Sequence, residues 1–438
     1  MLSSIAYAPV MAAPPRILET VPENLDLKVD SGLAEIRVTF DQDMDPWGYS
    51  FVGGGPHFPD MTGDPRWESP RVAVLPVRLR AGWYYEVGFN EPPFTNFRNT
   101  LDEAAEATRI RFCTDMEEDN PRRLHAEQNV AALERLRQAI DQRYSYRDRL
   151  DLDWDRLFAE HRAELVAAPI AEAFAMLAAD MLAAAEDPHI SLATQSASFS
   201  TDHRIPPANI EFSGLLAAMP ALKRGTGVIA GKLTEDIGYM LVPSWSVQDT
   251  VITQLYDVIE ELASTSGLII DVRTNGGGDE NKAQAFASCF LVEETPYARH
   301  VWRDPDQDDG WSTPVTRVLV PDDNAPVYTG KVVVLMGPRC MSSNEAFLMM
   351  MRQVPGCVLI GEHSFGSSGN PRPVDLLNGV TVLLPAWKAM TLEGEAFEGV
   401  GLSPDIEVTA PLEEMRLRDP LLDKARQVIE DAVDATPP

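Results

Sequence analysis

The sequence has little cysteine, few basic residues relative to acidic ones, and no apolar run long enough to cross a bilayer. Only four of its 438 residues are cysteines, and none form a CxxC pair, which predicts reduced, buried thiols rather than a disulfide framework or zinc site. Lysine and arginine number 37 against 67 acidic residues, a formal charge of -30. So acidic a surface repels phosphate backbones and anionic lipid. Nucleic-acid binding and membrane insertion are therefore not expected.

The start of the chain has small residues at Ala12 and Ala13 but no lysine or arginine before its apolar part. A secretory signal peptide needs a positively charged segment there. This N-terminus therefore slightly favours a cytoplasmic protein, with a periplasmic or extracellular location as the alternative. The sequence does not indicate an oligomeric state, and it implies no metal and no organic cofactor.

Three regions with different periodicity predict a multidomain protein. Residues 14–116 carry alternating strands, such as residues 34–40, separated by turn residues, which predicts an all-β sandwich domain. Residues 122–200 carry apolar residues at helical spacing and predict a helical subdomain. Residues 205–435 alternate strands with helices and end in a helix. That pattern predicts an α/β core with a largely parallel sheet and a site at the carboxyl ends of its strands.

Ser342 stands between the apolar run at residues 331–336 and the apolar stretch at residues 346–350. This order predicts a strand, a turn and a helix. Such a turn exposes a small side chain at a helix N-terminus, where free N–H groups favour negative charge. Ser342 is therefore a candidate nucleophile, and an ordinary helix cap is the alternative role.

A glycine cluster at residues 276–278 follows the buried strand predicted at residues 267–272. Glycine lets the backbone approach a ligand closely. The N–H of Gly276 or Gly277, with that of Ser343, could stabilise the oxyanion of a tetrahedral intermediate. A phosphate loop would need a downstream Lys-Ser/Thr or GxGxxG spacing, and neither is present. A turn without function is the remaining alternative.

A serine nucleophile needs a base, and the chain has seven histidines. His189 follows the Ala-rich helix predicted at residues 171–185, where a structural role at the helix end is the alternative. His363, on a predicted loop after a buried strand, is the second choice.

Six motifs in order resemble the S41 serine peptidases, the tail-specific or C-terminal-processing group that includes the tricorn protease core. They are the helical lead-in at residues 144–155, the histidine segment at 187–192, Asp-Val-Arg-Thr-Asn-Gly-Gly-Gly at 271–278, Ser-Ser-Asn-Glu at 342–345, Gly-Glu-His-Ser-Phe-Gly at 361–366, and the closing segment at 398–405. The β region resembles bacterial Ig-like modules. The resemblance implies a ClpP/crotonase-like α/β core.

The resemblance implies Ser342 as nucleophile, His189 as base and Glu398 as the carboxylate that orients the base. Processing proteases use a lysine where this chain has Ser367, so the tricorn-like histidine arrangement is the closer match. The tricorn pattern has a serine before its histidine, and here that position is Pro188. The connection from histidine to carboxylate must therefore differ in detail.

The sequence thus predicts a serine peptidase that hydrolyses peptide bonds in unstructured peptides or protein tails. The alternatives are a non-catalytic ligand- or peptide-binding relative on the same fold, and a serine esterase or amidase. The expected partner is a peptide or unfolded protein substrate. The Ig-like domain is expected to act as a spacer or to dock a partner or another subunit.

Overall fold

The computed structural model describes residues 13–201, 206–218, 223–224 and 228–434. The predicted absence of a signal peptide concerns mainly residues 1–12, which lie outside this range. The predicted domain limits at 205 and 435 lie outside it as well.

The N-terminal region is strand-rich, in agreement with the predicted alternation. Its strands are β1 (Ile17–Val21), β2 (Glu35–Phe40), β3 (Phe51–Val52), β4 (Asp60–Met61), β5 (Arg66–Ser69), β6 (Val72–Arg78), β7 (Tyr84–Phe89) and β8 (Thr108–Cys113). One antiparallel sheet has the order β1-β2-β6-β4 with β5 also paired to β6, and the other has the order β3-β7-β8. Val38 and Leu75 from the first sheet share a core with Val87 and Phe112 from the second. The two sheets therefore bury their apolar faces together.

Three helices follow: α1 (Ala126–Arg143), α2 (Trp154–Ala167) and α3 (Ala171–Leu182). Asp153 caps α2, because its side chain accepts a hydrogen bond from the N–H of Arg156. The apolar α3 is buried along most of its length. The core around it also includes Tyr84 and Cys113 of the β region, so the strand-rich and helical regions pack against each other.

The remaining described chain alternates strands and helices. The strands are β9 (Ser191–Ala193), β10 (Ser198–Ser200), β11 (Lys223–Arg224), β12 (Ile229–Lys232), β13 (Ile237–Leu241), β14 (Gly267–Asp271), β15 (Thr295–Val301), β16 (Val315–Leu319), β17 (Lys331–Met336), β18 (Val358–Gly361), β19 (Pro371–Asp375), β20 (Thr381–Pro385), β21 (Lys388–Met390) and β22 (Ile406–Glu407). The helices are α4 (Phe212–Ala218), α5 (Asp249–Leu262), α6 (Glu280–Ala287), α7 (Ser343–Met351), α8 (Leu412–Met415) and α9 (Pro420–Asp434).

The central sheet has the order β11-β12-β13-β14-β17-β18-β22. From β13 to β22 all neighbouring pairs are parallel, which confirms the predicted parallel sheet. β14 and β17 are adjacent, with Asp271 opposite Leu335. Because parallel strands end at the same edge, the loop that follows each strand opens there. The glycine cluster and the Ser342 turn therefore meet at this edge.

Two smaller antiparallel sheets flank the central one, with the orders β10-β9-β20-β19 and β16-β15-β21. The first joins residues after the helical region to residues near 381. For example, Leu192 lies opposite Val382. This pairing brings the histidine segment at residues 187–192 to the α/β core.

Candidate active site

Ser342 lies on a sharp turn between β17 and α7. Its backbone φ of 58° is in the left-handed region, which is unfavourable for a residue with a Cβ. Such backbone strain persists only where the surroundings enforce it, and it is concentrated at functional sites. The N–H of Ser342 donates to the carbonyl of Ser367 at 2.7 Å, so the turn is held against a second loop.

The carboxylate of Glu345 holds these two loops together. It accepts hydrogen bonds from Ser364 Oγ at 2.6 Å and from the N–H groups of Gly366, Ser367 and Ser342 at 2.8, 3.1 and 3.2 Å. The side chain is fully buried, and burial raises its pKa to about 8 although the four donors favour the charged form. These contacts brace the helix turn and connect it to the 364–367 loop.

The glycine loop touches the serine turn directly. Gly277 has φ of 98°, and a Cβ there would lie 2.8 Å from the Cβ of Ser342, so a larger residue would not fit. The N–H of Gly277 donates to Asn275 Oδ1 at 2.9 Å and is therefore already engaged. Among the described hydrogen bonds, the N–H groups of Gly276, Gly278 and Ser343 have no acceptor. Of these three residues, Gly278 and Ser343 line the same cleft as Ser342.

Asn344 fixes the distance between the serine turn and the glycine loop. Its side-chain amide donates to the carbonyl of Asn275 at 3.0 Å and accepts from Trp245 Nε1 at 3.0 Å. Ser343 Oγ adds a 2.7 Å hydrogen bond to the carbonyl of Gly278. Asn344 is fully buried. The first two residues of α7, Ser343 and Asn344, therefore bind the glycine loop.

His189 reaches the same place from the helical region. Its Nδ1 lies 2.7 Å from Ser367 Oγ and 4.0 Å from Asp187 Oδ1. No hydrogen bond joins His189 to Ser342 Oγ in the described structure, and Nε2 has no partner there. Burial lowers the pKa of His189, while the charge of Asp187 opposes that shift. Ser367 thus links the two predicted catalytic residues, through its side chain and its backbone carbonyl.

Glu398 lies close by but has different neighbours. Its Oε2 accepts the N–H of Ser368 at 2.8 Å. Burial, followed by the charge of Asp187, raises its pKa well above the usual range. The described structure records no contact between Glu398 and His189, so its orienting role stays a prediction. His363, the second-choice base, is exposed on its loop.

Two further polar side chains lie close to His189: the carboxyl group of Asp187 and, hydrogen-bonded to it, the hydroxyl group of Tyr144. Asp187 is fully buried, accepts the Tyr144 hydroxyl at 2.9 Å, and accepts the N–H of His189 at 2.9 Å. Burial raises the pKa of Asp187. The sequence alone indicates no role for Asp187 or Ser367. The only signal for Asp187 is its place two residues before His189, and Ser367 stands where processing proteases have a lysine.

Ser342 opens into a cleft of about 510 Å³. The glycine loop and α6 form one wall, and the strands around Tyr297 and Trp387 form another. The charged side chains that line it are Asp279, Glu280, Arg317 and Arg372. Arg317 is buried against the rings of Tyr297 and Trp387, at 5.2 and 5.0 Å, and pairs with Glu280. The cleft therefore offers both signs of charge to a polar chain.

The charged residues that precede the glycine loop, Asp271 and Arg273, are structural. Arg273 is fully buried and bridges Asp271 and Asp419 with N···O distances of 2.7 Å. It faces the N-terminus of α9, away from the cleft lining.

The four cysteines are free, and three of them are buried. In the described part of the chain, no group of His, Cys, Asp and Glu is arranged to hold a metal ion. No helix in this part is long and apolar enough to span a bilayer.

The α/β core thus combines a parallel sheet, a serine on a strained strand–helix turn, and a facing glycine loop with free N–H groups. Residues 236–408 match the family model described as Peptidase family S41. This α/β domain is a member of that family.

Parts of the chain are also similar to curated proteins. The chain is 27% identical to the tricorn protease of Thermoplasma acidophilum over 192 residues, which are 43% of this chain and 16% of the relative. It is 23% identical to the carboxy-terminal processing protease CtpB of Bacillus subtilis over 177 residues, which are 40% of this chain and 34% of the relative. The chain thus spans only one sixth to one third of these relatives.

The fold comparison covers more of the chain. A solved structure of a protein from Parabacteroides merdae superposes with a TM-score of 0.61 at 23% identity, covering 72% of this chain and all of that one. A lipoprotein from Streptococcus agalactiae gives a TM-score of 0.51 at 14% identity, covering 70% of this chain and 96% of that one. At these identities the likeness concerns the fold.

Proposed function

We propose that this protein is a serine peptidase that hydrolyses peptide bonds in unstructured peptides or protein tails. The observation that carries the proposal is the strained turn that presents Ser342 in a cleft beside free backbone N–H groups. The family of the α/β domain and the names of its relatives support the same chemistry. Within this proposal, the N-terminal region is an Ig-like module and the core is ClpP/crotonase-like.

The reaction follows from the contacts of His189. If its Nδ1–H donates to Ser367 Oγ, the unprotonated Nε2 is left to accept the proton of Ser342. Ser342 Oγ then bonds to the carbonyl carbon of the peptide, and His189 passes the proton to the leaving amine. Water attacks the resulting ester, gives its proton to His189, and releases the acid. The serine recovers its proton from the histidine.

The oxyanion would be held by backbone N–H groups. Ser343 is the predicted donor that keeps its N–H free, and Gly276 and Gly278 have the free N–H groups of the glycine loop. Gly277 serves instead as the close-packed residue that brings the loop to the serine. One lost oxyanion donor typically costs roughly 10²–10³ in turnover.

In this scheme Ser367 binds Nδ1 of His189, while Nε2 acts on Ser342. A hydroxyl that holds Nδ1 fixes both the ring orientation and its tautomer. Glu398 acts one residue further along the chain, because it holds the N–H of Ser368. We propose Ser342 and His189 as the catalytic residues, and Ser367, Asp187 and Glu398 as positioning residues.

The test is cleavage of an unstructured peptide by wild type and by Ser342→Ala. The loss of a serine nucleophile costs roughly 10⁴–10⁶ in turnover, so we expect no measurable cleavage by the variant. Ser288→Ala is the control for loss of a serine hydroxyl, since the hydroxyl of the buried Ser288 donates to Gln284 of α6 and accepts from the N–H of Asp322. Cleavage by Ser342→Ala at the wild-type rate would refute the proposal.

The alternative class is a peptide-binding protein without catalysis. The missing hydrogen bond between His189 and Ser342 Oγ in the described structure favours it. Wild-type protein that binds the peptide but never cleaves it would support this alternative. Cleavage of a nitrophenyl ester without cleavage of peptides would instead support the esterase or amidase.

A further inference from the structure

A second cavity of about 340 Å³ lies apart from the Ser342 cleft. Ser145 and Arg149 reach it from the segment after α1, Arg303 and Trp311 from the segment between β15 and β16, and Lys388 from β21. Glu398 forms part of the wall. None of the residues that line this cavity lines the Ser342 cleft. We call it the basic cavity.

Unpaired buried donors are concentrated here. Ten buried side-chain N or O atoms of the described residues have no hydrogen-bond partner, and three of them belong to residues of the basic cavity: Ser145 Oγ, Arg149 Nε and Arg303 Nε. Ser145 is only 2% exposed. Buried polar groups are nearly always paired in native proteins, so a cluster of unpaired ones indicates a ligand. All three atoms can donate a hydrogen bond.

The charged side chains that line the cavity also indicate a ligand. Arg149 donates to the neutral carbonyls of Ala185 and Glu186, and no carboxylate in the described structure lies within 4 Å of Arg149 or Lys388. Arg303 and Lys388 both lie over the ring of Trp311, at 4.3 and 5.3 Å from its centre. Two cations over one ring repel each other unless negative charge is close.

The acidic groups of the cavity are already used. Asp148 pairs with both Arg303 and Arg147. Glu398 accepts the N–H of Ser368. Of the three cationic side chains, only Arg303 therefore pairs with a carboxylate, and it shares that carboxylate with Arg147. Water could accept the hydrogen bonds of the unpaired donors, but it would not balance the excess positive charge. An anion would accept the hydrogen bonds and balance the charge.

We propose that the basic cavity binds a small oxyanion, such as a carboxylate or phosphate group. Its oxygens accept hydrogen bonds from Arg149 Nε, Arg303 Nε and the Ser145 hydroxyl, and Lys388 supplies further positive charge. Charge-assisted hydrogen bonds from arginine are the strong ones in such sites. The proposal is independent of peptide hydrolysis at Ser342.

Isothermal titration calorimetry with inorganic phosphate and, separately, with succinate tests the site at an ionic strength held constant with sodium chloride. We expect saturable binding of at least one of them with one site per chain. Binding of phosphate alone or of succinate alone identifies which oxyanion the cavity prefers. The absence of saturable binding by both would overturn the proposal.

Arg303→Lys and Ser145→Ala locate the site. Arg303→Lys keeps the charge but removes Nε, so we expect the dissociation constant to rise at least tenfold. Ser145→Ala should raise it several-fold. Arg156→Lys is the control, because Arg156 is 74% exposed on α2. Equal affinity in all four proteins would place any binding elsewhere and overturn the proposal.

Thermal unfolding keeps this test decisive. Ser145→Ala removes a buried hydroxyl without a partner, so without anion the variant should be at least as stable as wild type. With saturating anion, wild type should gain more in Tm than the variant. An equal gain in both proteins would contradict the assigned hydroxyl contact.

Discussion

At the scale of single residues, the account depends on how Ser367 holds His189. The contact joins residues 178 positions apart in the sequence. Sequence motifs could place both residues in the candidate site, because each follows a recognisable segment. They could not give this hydrogen bond, because it depends on the three-dimensional approach of the helical region to the core. The same limit applied to Asp187.

Ser367→Ala tests the positioning role. The variant removes the hydroxyl that holds Nδ1 and leaves the serine turn in place, so kcat should fall roughly 10- to 100-fold with KM nearly unchanged. Steady-state kinetics on an unstructured peptide measure both. A purely structural role would lower Tm and leave the pH profile of kcat unchanged. Ser288→Ala controls for the loss of any buried serine hydroxyl.

The pH dependence follows from the lowered pKa of His189. Burial favours the neutral ring, so the base should stay active below its ordinary pKa of 6.5. We expect kcat/KM to be constant near neutral pH and to fall only as acid protonates the ring below pH 6.5. A profile of kcat/KM against pH, with circular dichroism at each point, separates this from unfolding. Activity that rises only at alkaline pH would contradict a histidine base.

At the scale of elements, the first turn of α7 carries more of the site than its helix-forming residues suggest. Asn344 connects it to the glycine loop and to Trp245, and Glu345 connects it to the 364–367 loop. Periodicity predicted β14, β17 and α7 well, since each is a fully buried or nearly fully buried apolar run. It missed β9 and β20, which pair with each other although they lie far apart in the sequence.

Asn344→Ala tests this connection. The change leaves the buried indole N–H of Trp245 without an acceptor and frees the carbonyl of Asn275. Because a buried unpaired polar group costs about 1–3 kcal/mol, we expect that loss of unfolding free energy and a clear fall in kcat. Urea unfolding and peptide kinetics measure the two effects. Unchanged kcat would show that the glycine loop is positioned without Asn344.

At the scale of the whole molecule, a buried ion cluster joins the strand edge of the site to the C-terminal helix. Arg273 lies between Asp271 at the end of β14 and Asp419 before α9. The sequence indicated the first partner by proximity, whereas the second lies 146 residues away. Periodicity predicts three regions, but it gives no sign of the packing between the β region and the helices around Tyr84.

Arg273→Ala should therefore destabilise the α/β core. It leaves two buried carboxylates without their counter-charge, and breaking a buried pair costs about 3–5 kcal/mol. Urea unfolding should show a lower midpoint. Arg156→Ala, which breaks an exposed pair with Glu160, should leave the urea midpoint nearly unchanged. Equal effects of the two changes would contradict the bridging role of Arg273.

Activation of Ser342 by His189 is tested most directly by intact-mass spectrometry after treatment with a fluorophosphonate, for wild type beside His189→Ala. We expect one adduct on wild type, mapped to Ser342, and almost none on the variant, since an unactivated serine reacts slowly. An unlabelled wild type, or equal labelling of both proteins, would contradict a serine activated by His189.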